Sequence, residues 1–244
     1  MRIRGTIIVF LLPLLLNAQD NAALKNDKPL ATDRSFMEAV KIAQDRYVRL
    51  ETRNIRTKDP EDASSASAVR IGCRLLISNF HVLAANSVTA EPITTTGPTT
   101  EQKFTEITVK GLSAPMDLIA IESEIAADLP PIKFAEKISV GETVLNYSNA
   151  NGTNGFLKVY YVAQGEKDGH IFLDRPAIPG ESGSGLFNLK GELVGIVDSN
   201  IQLGSDEDGT PPDRFYGAAI VTNTLKAFLK AIGENEEAFN KCKK

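Results

Sequence analysis

Short runs in which apolar and polar residues alternate dominate the chain after residue 46. Tyr47 to Thr52 alternates in this way, and so does Glu106 to Lys110. This period of two predicts β-strands with one buried face. Segments bearing Gly, Pro, Asn or Asp separate most runs, and many short strands with short turns are typical of an all-β barrel or sandwich. The further predicted strands are Val69–Ser78, Leu118–Glu122, Thr143–Tyr147, Leu157–Ala163, His170–Asp174, Leu193–Asp198 and Phe215–Val221.

Two segments have the period of a helix instead. Ser35–Asp45 places its apolar residues on one face, with Asp33 as a candidate N-cap. A terminal helix is predicted over residues 223–232, with Thr222 or Asn223 as its cap. The predicted fold is therefore all-β, with an N-terminal and a C-terminal helix.

The N-terminus has the pattern of a secretory signal peptide. Arg2 and Arg4 form a short basic region, Ile7–Leu16 is apolar, and the chain then turns polar. Such a run is too short to span a bilayer. We expect residues 1–18 to be a signal peptide cleaved near Ala18, which predicts a periplasmic or secreted protein. The alternatives are an uncleaved anchor or a buried strand.

The rest of the chain divides into a lead-in, one folded region and a tail. Residues 19–35 are polar and predict a flexible lead-in, residues 36–235 the folded region and residues 236–244 the tail. The Ser-, Thr- and Pro-rich stretches 57–68 and 86–103 predict surface loops. No later segment is long and apolar enough to cross a membrane, so we expect no stable membrane insertion.

Composition narrows the classes of function. The 244 residues are 42% apolar and 24% charged, as in ordinary globular proteins, and the formal charge of −4 gives no reason to expect nucleic-acid binding. Cys73 and Cys242 could pair in an exported protein, but the sequence leaves this open. Two cysteines and two histidines without ligand-like spacing argue against structural zinc, and we expect no metal and no cofactor.

The segment Pro179–Gly185 has the clearest chemical signal. It places Ser182 between glycines and between two predicted strands. Glycines permit a tight turn that exposes the hydroxyl and leaves main-chain N–H groups free to bind a developing negative charge. Ser182 is therefore the candidate nucleophile. The alternative is an ordinary glycine-serine hairpin turn.

A serine nucleophile needs a base, and the chain offers two histidines. His81 follows an apolar strand, whereas His170 begins a predicted strand, so we choose His81. Asp117 precedes another buried strand and is the candidate for orienting the imidazole. Taken singly, His81 could be a hydrogen-bonded core histidine and Asp117 a turn residue. Their order with Ser182, each at the mouth of a strand, is more specific.

These segments resemble those of HtrA/Deg-type trypsin-like serine peptidases. Leu76 to Val82 is similar to the histidine block of that family, Met116 to Ile121 to its aspartate block and Ala177 to Ile196 to its serine block. The resemblance implies a chymotrypsin-like fold of two six-stranded β-barrels, over about 46–130 and about 140–221, with the active site between them. We expect no PDZ domain after the terminal helix.

The resemblance also implies roles for further residues. The N–H groups of Gly180 and Ser182 would form the oxyanion hole. The substrate-binding residues would be Ala177, Val197, Asp198, Ser199 and Ala218.

Four positions depart from the family pattern. Ser184 replaces a glycine, and Val197 replaces the histidine with which glutamyl endopeptidases read glutamate. Asp198 stands where Ser or Thr is usual; pointing inward it would raise the pKa of His81, and pointing outward it would be solvated. Glu181 takes the place of the aspartate that pairs with a new N-terminus in trypsin-type zymogens. We expect it to be solvated, with no activation switch.

The predicted function is an exported serine endopeptidase that acts on proteins or peptides through an acyl-enzyme, and we expect a small or medium apolar residue before the cut. The alternative is an inactive homologue that serves as a binding protein in the envelope or outside the cell. An α/β-hydrolase esterase fits less well, because its acid and histidine follow the serine.

Overall fold

The computed structural model describes the chain in six stretches. The predicted signal peptide, the tail after residue 235 and Cys242 lie outside them. The described residues are 31–52, 64–84, 94–96, 107–123, 129–202 and 215–234.

The described residues form twelve strands and three α-helices. Helix α1 (Ala31–Arg46) precedes the strands, α2 (His81–Ala84) is a single turn, and α3 (Thr222–Ala231) follows the last strand. The strands are β1 (Tyr47–Thr52), β2 (Ser64–Arg70), β3 (Leu75–Ser78), β4 (Thr94–Thr96), β5 (Ile107–Ser113), β6 (Leu118–Ser123), β7 (Thr143–Ser148), β8 (Phe156–Lys167), β9 (His170–Leu173), β10 (Gly185–Asn188), β11 (Leu193–Gln202) and β12 (Phe215–Val221).

The strands form two antiparallel units of six. The first is a sheet in the order β4-β1-β2-β3-β6-β5, and the second is a closed barrel in the order β10-β11-β12-β9-β8-β7. Closure leaves the second barrel without edge strands. The expected all-β, chymotrypsin-like fold with two flanking helices is confirmed; of the two expected six-stranded barrels, the second is closed, and the first is a six-stranded sheet in the described residues.

One apolar cluster joins the two units. Val69, Ile77 and Leu118 from the first pack with residues of the second, including Phe187 and Ile196. Burying each such side chain contributes roughly 1.5–3 kcal/mol. This shared core fixes the two units against each other, and the candidate site lies at the loops between them.

Several predicted boundaries were wrong. The predicted strand Val69–Ser78 is two strands, because the chain reverses at residues 71–74. The predicted loops 57–68 and 86–103 contribute the start of β2 and the whole of β4. The start of β2 was missed because the buried residues there are small: Ala66, Ser67 and Ala68 are at most 6% exposed.

The predicted helix caps were also wrong. Helix α1 begins before Asp33, which is therefore inside it. Helix α3 starts directly from Val221 without a side-chain cap, and the Thr222 hydroxyl donates instead to the carbonyl oxygen of Ala135 (3.0 Å). Cys73 is disulfide-bonded. None of the described helices has the length and apolar character that a bilayer crossing requires.

Candidate active site

The turn that carries His81 is tied to the turn that carries Asp117. The N–H of Phe80 and the side-chain amide of Asn79 both donate to the Asp117 carbonyl oxygen, at 3.1 and 3.2 Å. The two turns end β3 and begin β6, which are paired neighbours in the first sheet. Strand pairing thus brings together two residues that are 36 positions apart in sequence.

The Asp117 carboxylate holds His81 with both oxygens. Oδ1 accepts the His81 main-chain N–H at 2.8 Å, and Oδ2 lies 2.5 Å from His81 Nδ1. Asp117 has φ 48, a left-handed conformation that aspartate tolerates better than most residues. The contact fixes the proton of neutral His81 on Nδ1 and leaves Nε2 free as a base.

The pKa values of this pair move apart. The side-chain hydrogen bond to Asp117 raises the pKa of His81, burial opposes the rise, and the charges of Asp117 and Asp198 add to it. Burial alone would raise the pKa of Asp117, but the side-chain and main-chain hydrogen bonds from His81 lower it. The aspartate is therefore ionised at neutral pH, and His81 needs a higher pH than a free imidazole to become neutral.

Asp198 points inward. Its side chain is 13% exposed and lies beside that of Asp117. The carboxylates of Asp117 and Asp198 and a ring nitrogen of His81 all lie within 4.8 Å of one another. The inward orientation, one of the two considered from the sequence, is therefore the one observed. By donor type these three groups could ligate a cation, but the short His81–Asp117 contact already uses two of the donor atoms.

The Ser182 loop depends on two glycines with positive φ. Gly180 has φ +92, and a Cβ there would lie 2.1 Å from the Asn149 carbonyl oxygen. Gly183 has φ +84, and its Cβ would lie 2.1 Å from the Ser67 carbonyl oxygen. The second barrel at Asn149 and the first sheet at Ser67 thus lie directly against the loop, and side chains at both glycine positions are excluded.

The Ser182 hydroxyl donates to the carbonyl oxygen of Asp198 at 3.3 Å. The main chain on either side is anchored, because Ser67 N–H donates to the Ser182 carbonyl (3.0 Å) and Gly183 N–H to that of Val197 (2.9 Å). Within the described stretches, the N–H groups of Gly180 and Ser182 donate to no protein acceptor. They remain the candidate oxyanion donors.

Ser184, which replaces the usual glycine, is buried and bonded. Its hydroxyl donates to the Glu181 carbonyl oxygen and accepts from Asn146 Nδ2, both at 2.5 Å. The departure from the family pattern therefore adds two contacts beneath the nucleophile loop.

Glu181 is fully buried, so its expected solvation was wrong. Its Oε2 accepts from Tyr160 Oη (2.5 Å), the Ile178 N–H (2.8 Å) and Lys158 Nζ (3.4 Å). Burial raises the pKa of Tyr160, and the charge of Glu181 raises it further. An internal lysine thus supplies the cation that a buried carboxylate needs.

The predicted substrate-binding residues divide into accessible and buried ones. Asn200 connects the segment after Val197 with the segment of Ala177: its Oδ1 accepts the Ala177 N–H at 2.7 Å and its Nδ2 donates to the Ala177 carbonyl at 2.8 Å.

The exposure of the predicted substrate-binding residues differs. Ser199 is exposed, whereas Val197 is fully buried in the barrel core. Ala218 is 1% exposed and borders a surface cavity of about 210 Å³. The other residues that line this cavity are Lys167, Asp168, His170, Phe172 and Ile201.

His170 was set aside in choosing a base, yet it contacts the site. It begins β9 as predicted, and its Nε2 lies 3.2 Å from Asp198 Oδ2. The sequence offered one indication that His170 could belong to the site, which is that the chain has only two histidines.

Residues 66–196 match the trypsin-like peptidase domain family, and this match covers over half of the chain. The protein therefore belongs to the trypsin-like peptidases.

Within this family the chain is similar to HtrA proteins. The Serine protease Do-like HtrA of Lactococcus lactis subsp. cremoris and that of subsp. lactis are each 28% identical to it in an alignment of 171 residues, and the match covers 63% of this chain. The match spans 40% of the length of these relatives.

Solved structures agree on the fold. The serine endoprotease from Yersinia pestis has a TM-score of 0.63 at 21% identity, over 81% of this chain and 66% of that one. An HtrA-type protease solved with a tripeptide gives 0.62 at 22%, over 81% and 63%.

Proposed function

We propose that the protein is a serine endopeptidase with Ser182 as its nucleophile, His81 as its base and Asp117 as the residue that orients the base. The observation that carries the proposal is that Asp117 binds both the main-chain N–H and the ring Nδ1 of His81, which leaves Nε2 free. A binding module has no use for an imidazole held in one tautomer. Membership in the trypsin-like peptidase family supports the same reaction.

The proposed reaction is acyl transfer. Ser182 turns from the Asp198 carbonyl toward His81 Nε2, loses its proton to that nitrogen and attacks the peptide carbonyl. The N–H groups of Gly180 and Ser182 stabilise the oxyanion, and His81 returns the proton to the leaving amine. Water then hydrolyses the acyl-enzyme. These steps need no group other than the chain and water.

Hydrolysis of an unfolded protein substrate tests the proposal. We expect the wild-type protein to release peptides, and Ser182→Ala to lose at least about 1,000-fold in rate. Ser139→Ala, which removes an exposed hydroxyl outside the site, is the matched control and keeps most of the activity. Equal rates for wild type and Ser182→Ala would favour the inactive, ligand-binding homologue.

We further propose that Asn200 limits the side chain accepted before the cut. Its two hydrogen bonds to Ala177 draw together the walls of the predicted pocket, and Gly217 N–H binds the Arg175 carbonyl (3.0 Å) behind them. Asn200→Gly should raise kcat/KM for peptides with Phe or Leu before the cut by about tenfold, relative to Ala. An unchanged ratio would remove Asn200 as the determinant.

We also propose that the protein is exported by residues 1–18. The basic-then-apolar pattern of that segment supports export. Recovery of the protein outside the cytoplasm with a new N-terminus near residue 19 tests this.

A further inference from the structure

His170 is the one described histidine outside the proposed triad, and its ring is placed by two contacts. Nδ1 lies 3.1 Å from the carbonyl oxygen of Asp168, and Nε2 lies 3.2 Å from Asp198 Oδ2. A carbonyl oxygen accepts hydrogen bonds and cannot donate them, so Nδ1 carries a hydrogen. The protonation of Nε2 is then decided by Asp198.

Counting protons identifies the charge of His170. Asp198 faces His170 with a carboxylate group, whose oxygens accept hydrogen bonds. One of these oxygens, Oδ2, accepts the Ser199 hydroxyl at 3.2 Å and lies 3.2 Å from His170 Nε2. With that oxygen accepting, His170 Nε2 must also carry a hydrogen. Both nitrogens of His170 are then protonated, and the ring is an imidazolium.

We propose that His170 is a positioning residue: its imidazolium is the counter-ion that allows Asp198 to lie beside the proposed triad. Without it, Asp198 would leave an uncompensated negative charge within 4.8 Å of the His81–Asp117 pair. That charge stabilises protonated His81 and removes the base. The consequence for activity rests on the proposed function, whereas the pairing itself does not.

Other charged groups also lie near His170. Lys167 and Asp168 line the same cavity as His170, and Asp117 acts on it through space. Its hydrogen bond with Asp198 raises the pKa of His170, burial opposes this, and the Asp168 carbonyl and the charges of Asp198 and Asp117 add to it. Each of these contributions except burial favours the imidazolium.

The two histidines make a direct test practical. With 13C-labelled histidine, the wild-type protein gives two imidazole signals in an NMR pH titration, and His170→Gln assigns them. Gln keeps an N–H for Asp198 but carries no charge. We expect His170→Gln to raise the titration midpoint of His81 by about half a pH unit or more.

Two further variants test whether the change in the His81 midpoint comes from the charge of His170 and not from the loss of a hydrogen bond. Ser199→Ala removes an uncharged hydrogen bond to the same Asp198 oxygen and should move His81 much less. Asp198→Asn should lower the midpoints of both histidines, and adding His170→Gln to Asp198→Asn should no longer raise that of His81. If His170→Gln does not fold, a fall in the His170 midpoint in Asp198→Asn carries the test.

Activity provides the second readout. The acid limb of kcat/KM should move to higher pH in His170→Gln, following the His81 midpoint. An unchanged His81 midpoint in His170→Gln, or an unchanged His170 midpoint in Asp198→Asn, would overturn the pairing. A wild-type protein that shows coupled titrations but no Ser182-dependent hydrolysis would overturn the proposed function and leave the pairing standing.

Discussion

Asp117→Asn is expected to lower kcat by about 10,000-fold while leaving the fold intact. The Asn side chain has nearly the same shape, and its oxygen can still accept the His81 main-chain N–H. Its NH2 group, however, would face His81 Nδ1, where Asp117 Oδ2 now lies at 2.5 Å. The ring would place its proton on Nε2 and could no longer accept one from Ser182.

Asp174→Asn is the matched control for this prediction. Asp174 also accepts a main-chain N–H, from Tyr161 at 2.8 Å, but at an exposed position with no histidine among its contacts. We expect its kcat to stay within about threefold of wild type. Steady-state kinetics on one peptide substrate and circular dichroism compare the variants. If Asp117→Asn folded and kept its activity, the assigned role of Asp117 would be wrong.

Lys158→Met is expected to cost about 3 kcal/mol of unfolding free energy and most of the activity. The ammonium of Lys158 lies 3.4 Å from the fully buried Glu181 carboxylate, and the same group donates to the Pro176 carbonyl at 2.9 Å. Methionine keeps most of the unbranched apolar stem of lysine without its charge. The variant leaves a buried negative charge directly beside Ser182, so the loop is expected to rearrange.

Urea unfolding, with Lys190→Met as control, measures this effect. Lys190 is exposed at a turn, and its loss should change stability by less than about 0.5 kcal/mol. Adding Glu181→Gln to Lys158→Met removes the unpaired charge and should recover part of the stability. A Lys158→Met variant as stable as Lys190→Met would show that the pair does not hold the loop.

The sequence predicted those parts of the site that are encoded locally. β1 and β12 were predicted with their observed bounds, because each has a clear apolar pattern between turns. His81 and Asp117 were recognised because each stands next to an apolar strand, and the structure brings them together through the pairing of β3 with β6.

The surroundings of Glu181 are set by tertiary packing and were not predicted. Lys158 and Tyr160 are more than twenty residues from it, but their separation of two along β8 puts them on one face of the strand. The alternation along β8 shows that the two side chains share a face, but only the closed barrel shows that Glu181 lies against that face. The contact of His170 with Asp198 likewise joins positions 28 apart, through two strands that both pair with β12.

The most direct measurement of the central claim is covalent labelling of Ser182. The purified full chain is treated with a fluorophosphonate, which reacts with activated serine hydroxyls, and the adduct is located by mass spectrometry of peptides. We predict one adduct, on Ser182, that forms faster as the pH rises through the titration of His81 and is lost in Ser182→Ala and His81→Gln. No adduct between pH 5 and 9, or an adduct on another residue, would contradict the account.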